Sequence, residues 1–398
     1  LWLTGPVDSD ARMVVKNLGY APQTPRVGEL FELKFELGGY YENPFAREQF
    51  RVDAKIRKPD GQTDDVPGFY YEGFIYQPDG DKGIQTPYGV PSFRLRYRPQ
   101  LPGQYKIELS VTAGAQTLPF SGGTVEVLPT AKRLPGIVRI DTQHPTLLAF
   151  DDGTPFNGIG MNARATYDLR YLQMLPFSLW EDQGLELYRR LFKVYAENGI
   201  NVVEIWMCSW WLALEWINDA PGNHGVGYLN QHRAWVLDEI VRLAEEHGIY
   251  LIITLNNHGK FSTFCDAEWQ RNPFNKVNGG FLGNPDDYFT DARARQMFKN
   301  YALYMIARWG HSPNIMSWKL FSEINLTGSR GSFYNDPRMV NWHREMAAYI
   351  KQNDLYKHLV TTHWSTNYRI INDAVANLPE LDLLTTDAYG GSTAGIFD

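Results

Sequence analysis

The spacing of apolar residues changes period once, near Pro129, and that change limits what the chain can fold into. Before it, apolar and polar residues alternate: Phe31, Leu33, Phe35 and Leu37; Phe50, Val52, Ala54 and Ile56; Phe93, Leu95 and Tyr97; Tyr105, Ile107, Leu109 and Val111. A period of two buries one face of a strand and wets the other, as in antiparallel sheets packed face to face. Turn signals such as Pro59-Asp60-Gly61 and Leu101-Pro102-Gly103 separate the runs at sandwich spacing. Residues 1–129 are expected to form an all-β, immunoglobulin-like sandwich. A Pro/Gly-containing linker over 130–136 then leads to a second domain over 137–398.

In that second domain, strands alternate with helices. Strands are expected at Asn157 to Asn162, Asn201 to Trp206, Tyr250 to Leu255, Ile315 to Phe321, Leu359 to His363 and Leu383 to Thr386. Between them run helices near Gln183 to Asn198, Arg233 to His247 and Ala292 to Trp309, and one opened by Asp336 and Pro337. The nearly unbroken apolar runs fit parallel strands covered on both faces. Repeated βα units make either a doubly wound sheet or a (β/α)8 TIM barrel. No G-x-G-x-x-G follows the first strand, which weakens the dinucleotide-binding option. Polar and aromatic residues after the strands favour the barrel, whose site lies at the strand C-termini. Six βα units are visible where a closed barrel needs eight. The chain is therefore expected to stop short of closure, the alternative being that a partner completes the sheet.

Composition narrows the function classes. A length of 398 residues suits two domains. No run approaches the ~18 apolar residues of a membrane helix, so no membrane partner is expected. The net charge of −7 argues against a nucleic-acid partner, which needs a basic face. Aromatic residues make up 14% of the chain, and exposed aromatic faces suit sugar rings. Cys208 and Cys265 are the two cysteines; they fit neither a disulfide framework nor a metal-ligand spacing. No metal or cofactor is expected. The Asp79-Gly80-Asp81-Lys82-Gly83 loop reads as a solvated turn, because it lacks the remaining ligands of a calcium loop. The first residue is Leu1, which leaves export open, and oligomeric state is undetermined.

The residue that most suggests chemistry is Glu323, directly after the apolar strand Ile315 to Phe321. A carboxyl there enters the barrel mouth. Burial against neighbours such as Trp318 would raise its pKa and suit it to donate a proton; the plainer reading is a loop glutamate paired with a lysine. Trp206, Trp210 and Trp211 follow the second strand, Asn257 and His258 the third, His363 and Trp364 the fifth, and Asn162 and Arg164 the first. As a set at the strand ends, they read as the lining of a pocket.

The run Trp318-Lys319-Leu320-Phe321-Ser322-Glu323-Ile324-Asn325 resembles the fourth-strand signature of the clan A glycoside hydrolases, which include family 5. Gly199-Ile200-Asn201-Val202-Val203 resembles the clan's second strand, Asn257-His258 the end of its third, and Asp387-Ala388-Tyr389 its sixth. The N-terminal part resembles an uncharacterised β-domain found ahead of such barrels, through Tyr41-Glu42-Asn43-Pro44-Phe45 and Pro67-Gly68-Phe69-Tyr70. The resemblance implies an exported, extracellular or periplasmic, retaining glycosidase acting on a poly- or oligosaccharide. Glu323 would be the general acid/base and Tyr389 would orient the nucleophile. Asn162, Arg164, the tryptophans, Asn257, His258, Ser322, His363 and Asp387 would hold substrate.

Two departures stand out. The clan's nucleophile comes from a seventh strand, which this sequence does not contain; Glu204 and Asp387 are the internal stand-ins, but neither is assigned the role. Glu204 is expected instead to pair with a lysine or arginine inside the barrel, and the chain by itself is expected to be inactive. Ser322 replaces an asparagine that normally binds the sugar 2-hydroxyl. Both departures leave open an alternative, a carbohydrate-binding protein with an inactive barrel.

Overall fold

The computed structural model describes residues 13–39, 41–79, 83–166, 184–331, 333–365 and 371–387. The chain divides into two compact units, 1–73 with 87–134, and 74–86 with 135–398.

The N-terminal region is β-rich, with β1 (Val14–Ala21), β2 (Phe31–Gly38), β3 (Phe50–Arg57), β4 (Thr63–Pro67), β5 (Phe69–Gln77), β6 (Ile84–Tyr97), β7 (Gly103–Ala113) and β8 (Gln116–Val127). They form two four-stranded sheets, ordered β1-β2-β6-β5 and β4-β3-β7-β8. The period-two residues are the ones buried: Phe31, Leu33 and Phe35 on β2, and Phe50, Val52, Ala54 and Ile56 on β3. Aromatic contacts link the sheets, with Phe50 5.3 Å from Phe93 and Tyr97 5.9 Å from Tyr105 between ring centroids.

The C-terminal region begins with a small antiparallel sheet that the sequence pattern did not reveal, β9 (Val138–Ile140), β10 (Leu148–Phe150) and β11 (Pro155–Phe156). Val138 and Phe156 of this sheet pack with Val202, Met316 and Leu359, and Tyr250 and Leu383 lie against the same cluster. Those five partners sit at the N-terminal ends of successive strands. The small sheet therefore plugs that end of the large sheet with apolar surface, leaving the opposite end for chemistry.

The large sheet is β12 (Gly160–Asn162), β13 (Val202–Trp206), β14 (Tyr250–Asn256), β15 (Ile315–Phe321), β16 (Leu359–Trp364) and β17 (Leu383–Thr386). It is a curled, six-stranded sheet in sequence order, and every pairing in it is parallel. The first strand is shorter than expected. The helices are α1 (Gly184–Glu197), α2 (Gln231–His247), α3 (Ala292–Trp309), α4 (Pro337–Asn353) and the short α5 (Asp373–Ala376). Their starts follow side-chain caps: Asn230 accepts from Arg233 N, Asp291 from Arg293 N and Ala294 N, and Asp336 from Arg338 N. α2 begins at Gln231, two residues before the expected Arg233. Gly248 ends α2 in the left-handed conformation at φ 67°. Gly310 follows α3 at an ordinary φ of −61°, and glycine is needed there because a Cβ would lie 2.7 Å from Ile306 O.

Inside the sheet's curl sits a charged pair. Lys319 Nζ donates to Glu204 Oε2 at 2.7 Å, while Thr254 Oγ1 and Trp206 Nε1 each donate to Glu204 Oε1 at 2.7 Å. Burial pushes the Glu204 carboxyl up, but the Lys319 charge and hydrogen bonds outweigh it and hold the group below the usual range. The expected partner, a lysine or arginine, is Lys319.

Candidate active site

The C-terminal ends of β13 to β17 gather the titratable groups. Glu323 follows β15 and is 9% exposed. Its backbone is left-handed, at φ 47° and ψ 56°, a conformation that costs a residue with a Cβ roughly 1–2 kcal/mol. Four described non-glycine residues have positive φ, and two of them, Asp266 and Glu323, hold the same histidine. Strain of this kind collects where geometry serves function.

That histidine is His258, in the first turn after β14. Its Nδ1 lies 2.9 Å from Glu323 Oε2 and its Nε2 3.1 Å from Asp266 Oδ2. Ser322 Oγ fixes the turn by accepting from His258 N at 3.1 Å. His258 is 2% exposed. Burial alone would push its pKa down, but the hydrogen bonds and charges of Asp266 and Glu323 outweigh burial and raise it.

The same contact corrects one expectation. Burial does push the Glu323 carboxyl up, yet the hydrogen bond and charge of His258, with help from Ser365 and His363, hold it below the ordinary glutamate value. Trp318 is engaged elsewhere: its Nε1 donates to Asp354 at 3.0 Å, and its ring lies edge-on to His358. The His258 imidazole, from the turn after the neighbouring strand β14, lowers the pKa of Glu323 where an apolar wall would raise it.

His363, at the end of β16, supports Glu323 from the other side. Glu323 N donates to His363 Nδ1 at 3.1 Å, which leaves the ring proton on Nε2, 3.3 Å from Asp387 Oδ1. Asn325 Oδ1 accepts from Ser365 N at 2.8 Å and ties the two loops together.

The other sequence candidates are dispersed. Trp206 is buried, edge-on to His258 at 6.1 Å, with the Arg164 guanidinium 5.0 Å from its ring. Asn162 is exposed on β12. Trp210 is half-buried, and Trp211 stacks on Tyr188 of α1 at 6.0 Å. Trp364 is fully buried. Asn257 is buried and donates to Glu268 Oε2 at 2.7 Å. Ser322 is fully buried, with its hydroxyl on the His258 backbone. Tyr389 lies outside the described residues.

Sequence reasoning missed Asp266, Lys319, Ser365 and Asn325. Only Lys319 carried a signal, as a charged residue inside an otherwise apolar strand.

Comparison with known proteins supplies the class. Residues 27–112 match a family described as a domain of unknown function, DUF5060. The chain is homologous to mannan endo-1,4-β-mannosidases, a group of glycosidases. It is 26% identical over 272 residues to mannan endo-1,4-β-mannosidase 2 of Oryza sativa subsp. japonica, spanning 64% of this chain and 52% of that protein. It is 32% identical over 181 residues to mannan endo-1,4-β-mannosidase A of Podospora anserina, spanning 42% of each. The chain thus spans about half the length of the curated relatives it matches. A crystal structure of a Bacteroides vulgatus protein shares the fold with TM-score 0.57 and 19% identity, over 90% of this chain and 58% of that one.

Proposed function

We propose that the barrel hydrolyses β-1,4-mannan internally and with retention of anomeric configuration, with Glu323 as general acid/base. The observation that carries the reading is Glu323 itself. It is a buried carboxyl held in a strained turn at the C-terminal end of β15, in a chain homologous to endo-acting mannosidases. In this mechanism Glu323 protonates the leaving oxygen and then takes a proton from the attacking water, while a second carboxylate ~5 Å away forms the glycosyl intermediate. Asp266 and Asp387 are each separated from Glu323 by an imidazole ring, so neither is assigned as nucleophile. A second carboxylate at that distance would also raise the Glu323 pKa by like-charge repulsion, restoring the proton the acid step needs. Tyr389 is assigned the orienting of that carboxylate, the β-rich region over 1–129 a buttressing role, and the protein an extracytoplasmic location.

One observation favours the rival, a carbohydrate-binding protein with an inert barrel: the pKa of Glu323 is lowered rather than raised. Incubating the full-length protein with β-1,4-mannan separates the two. The proposal expects new reducing ends, a rapid fall in viscosity, and β-configured fresh products by NMR. Binding without cleavage supports the rival, and α-configured products overturn retention.

A further inference from the structure

We infer that His258, Cys265 and Asp266 form a binding site for a thiophilic divalent cation, with Zn2+ the best match to the donor set. One ligand atom from each residue lies within 4.8 Å of the others. In a tetrahedral zinc site the donor atoms stand roughly 3.3 to 3.8 Å apart, so small side-chain adjustments close the triangle on an ion. Nitrogen, sulfur and carboxylate oxygen together suit zinc, whereas calcium and magnesium prefer oxygen alone. The Cys265 thiolate and the Asp266 carboxylate supply two negative charges, which match a divalent cation.

The surrounding chain holds these donors in place. Ser262 Oγ accepts from Cys265 N at 3.2 Å, and Asp266 turns its side chain inward through a positive φ of 45°. The loop doubles back so closely that a Cβ on Gly259 would fall 2.4 Å from Asp266 O. Cys265 is half-buried and Asp266 exposed, which gives an ion a path from solvent. Three protein ligands leave a fourth position open to water.

The fit extends one shell outward. A metal-ligating histidine commonly donates its other ring N–H to a carboxylate, which fixes the tautomer and strengthens the ligand. With Nε2 facing Asp266 at 3.1 Å, His258 Nδ1 faces Glu323 Oε2 at 2.9 Å. Binding releases the thiol proton of Cys265 and the Nε2 proton that His258 shares with Asp266, while the Nδ1–H stays on Glu323. A histidine serving only as a bridge between two carboxylates would have no use for the sulfur.

Titration of the chain with Co2+ reads this directly, and no turnover is involved, so the result is independent of the proposed hydrolysis. The expected result is one equivalent bound, with visible bands of a tetrahedral ion and a near-ultraviolet thiolate-to-cobalt band that Zn2+ abolishes. Cys265→Ser and Cys265→Ala should each remove the thiolate band, and Cys208→Ser should retain it. Glu323→Gln should keep the band while weakening affinity about 10- to 100-fold. Absence of a thiolate band in the unaltered chain, or equal Zn2+ affinity with and without the Cys265 sulfur, would overturn the inference.

Discussion

His258 Nδ1 stands 2.9 Å from Glu323 Oε2, and the imidazole's other nitrogen is committed to Asp266. The contact lowers the Glu323 pKa, so it opposes the protonated form that an acid catalyst must offer. In an active enzyme the alkaline limb of the kcat/KM profile reports that acid. His258→Gln removes the imidazole that lowers the Glu323 pKa and should move this limb to higher pH. A measured profile with an unmoved limb would show that another group sets it.

Lys319 is 2% exposed at its side chain and neutralises Glu204 inside the sheet's curl. Removing one member of a buried pair strands the other charge, at a cost of about 3–5 kcal/mol. Lys319→Met should lower stability by that amount in denaturant unfolding. Lys319→Met combined with Glu204→Gln should recover part of the loss, because no unpaired charge remains.

His343 is fully buried on α4, with Nδ1 2.8 Å from Met339 O and Nε2 3.0 Å from Thr362 Oγ1. Burial pushes its pKa down to about 4. The unfolded chain takes up this proton near pH 6.5 and the folded chain does not. Stability from this group is therefore complete above pH 6.5 and lost as pH falls toward about 4, by about 3 kcal/mol over the window. The slope of unfolding free energy against pH should flatten there in His343→Gln, whatever that variant's absolute stability.

Phe264 is 44% exposed, two residues before Asp266 in the loop beside the site. An exposed ring there suits the face of a sugar in a polysaccharide cleft. Phe264→Ala should raise KM on mannan about 3- to 10-fold, the worth of one aromatic contact, with kcat little changed. Steady-state kinetics on polymer and on a short oligosaccharide would check it.

The six strands of the large sheet could be read from the sequence because burial on both faces leaves a run of apolar residues, as in Tyr250 to Leu255. Strands as short as β9 to β11 leave no such period, and the plug they form escaped notice. Glu323 could be singled out as a candidate from its position after the apolar run Ile315 to Phe321. Its pKa was not legible, because the deciding neighbour, His258, arrives from the loop after another strand. Cys265 and Asp266 were illegible for a different reason: they share the loop after β14 with His258, and their convergence on it depends on a left-handed turn at a non-glycine residue, for which the sequence has no marker. Lys319 was the counterexample, since a lone charge in the run Ile315 to Phe321 demands a partner.

If Glu323 passes the proton in glycosidic cleavage, Glu323→Ala in the full-length protein, measured on two substrates, reads it directly. Acid/base assistance is worth about 10²–10⁴-fold. Hydrolysis of β-1,4-mannan, with its poor leaving group, should fall by that factor. An aryl glycoside whose leaving group needs no proton should form its glycosyl intermediate at a nearly unchanged rate. Equal rates of mannan hydrolysis with and without the Glu323 carboxyl would show that another group passes the proton.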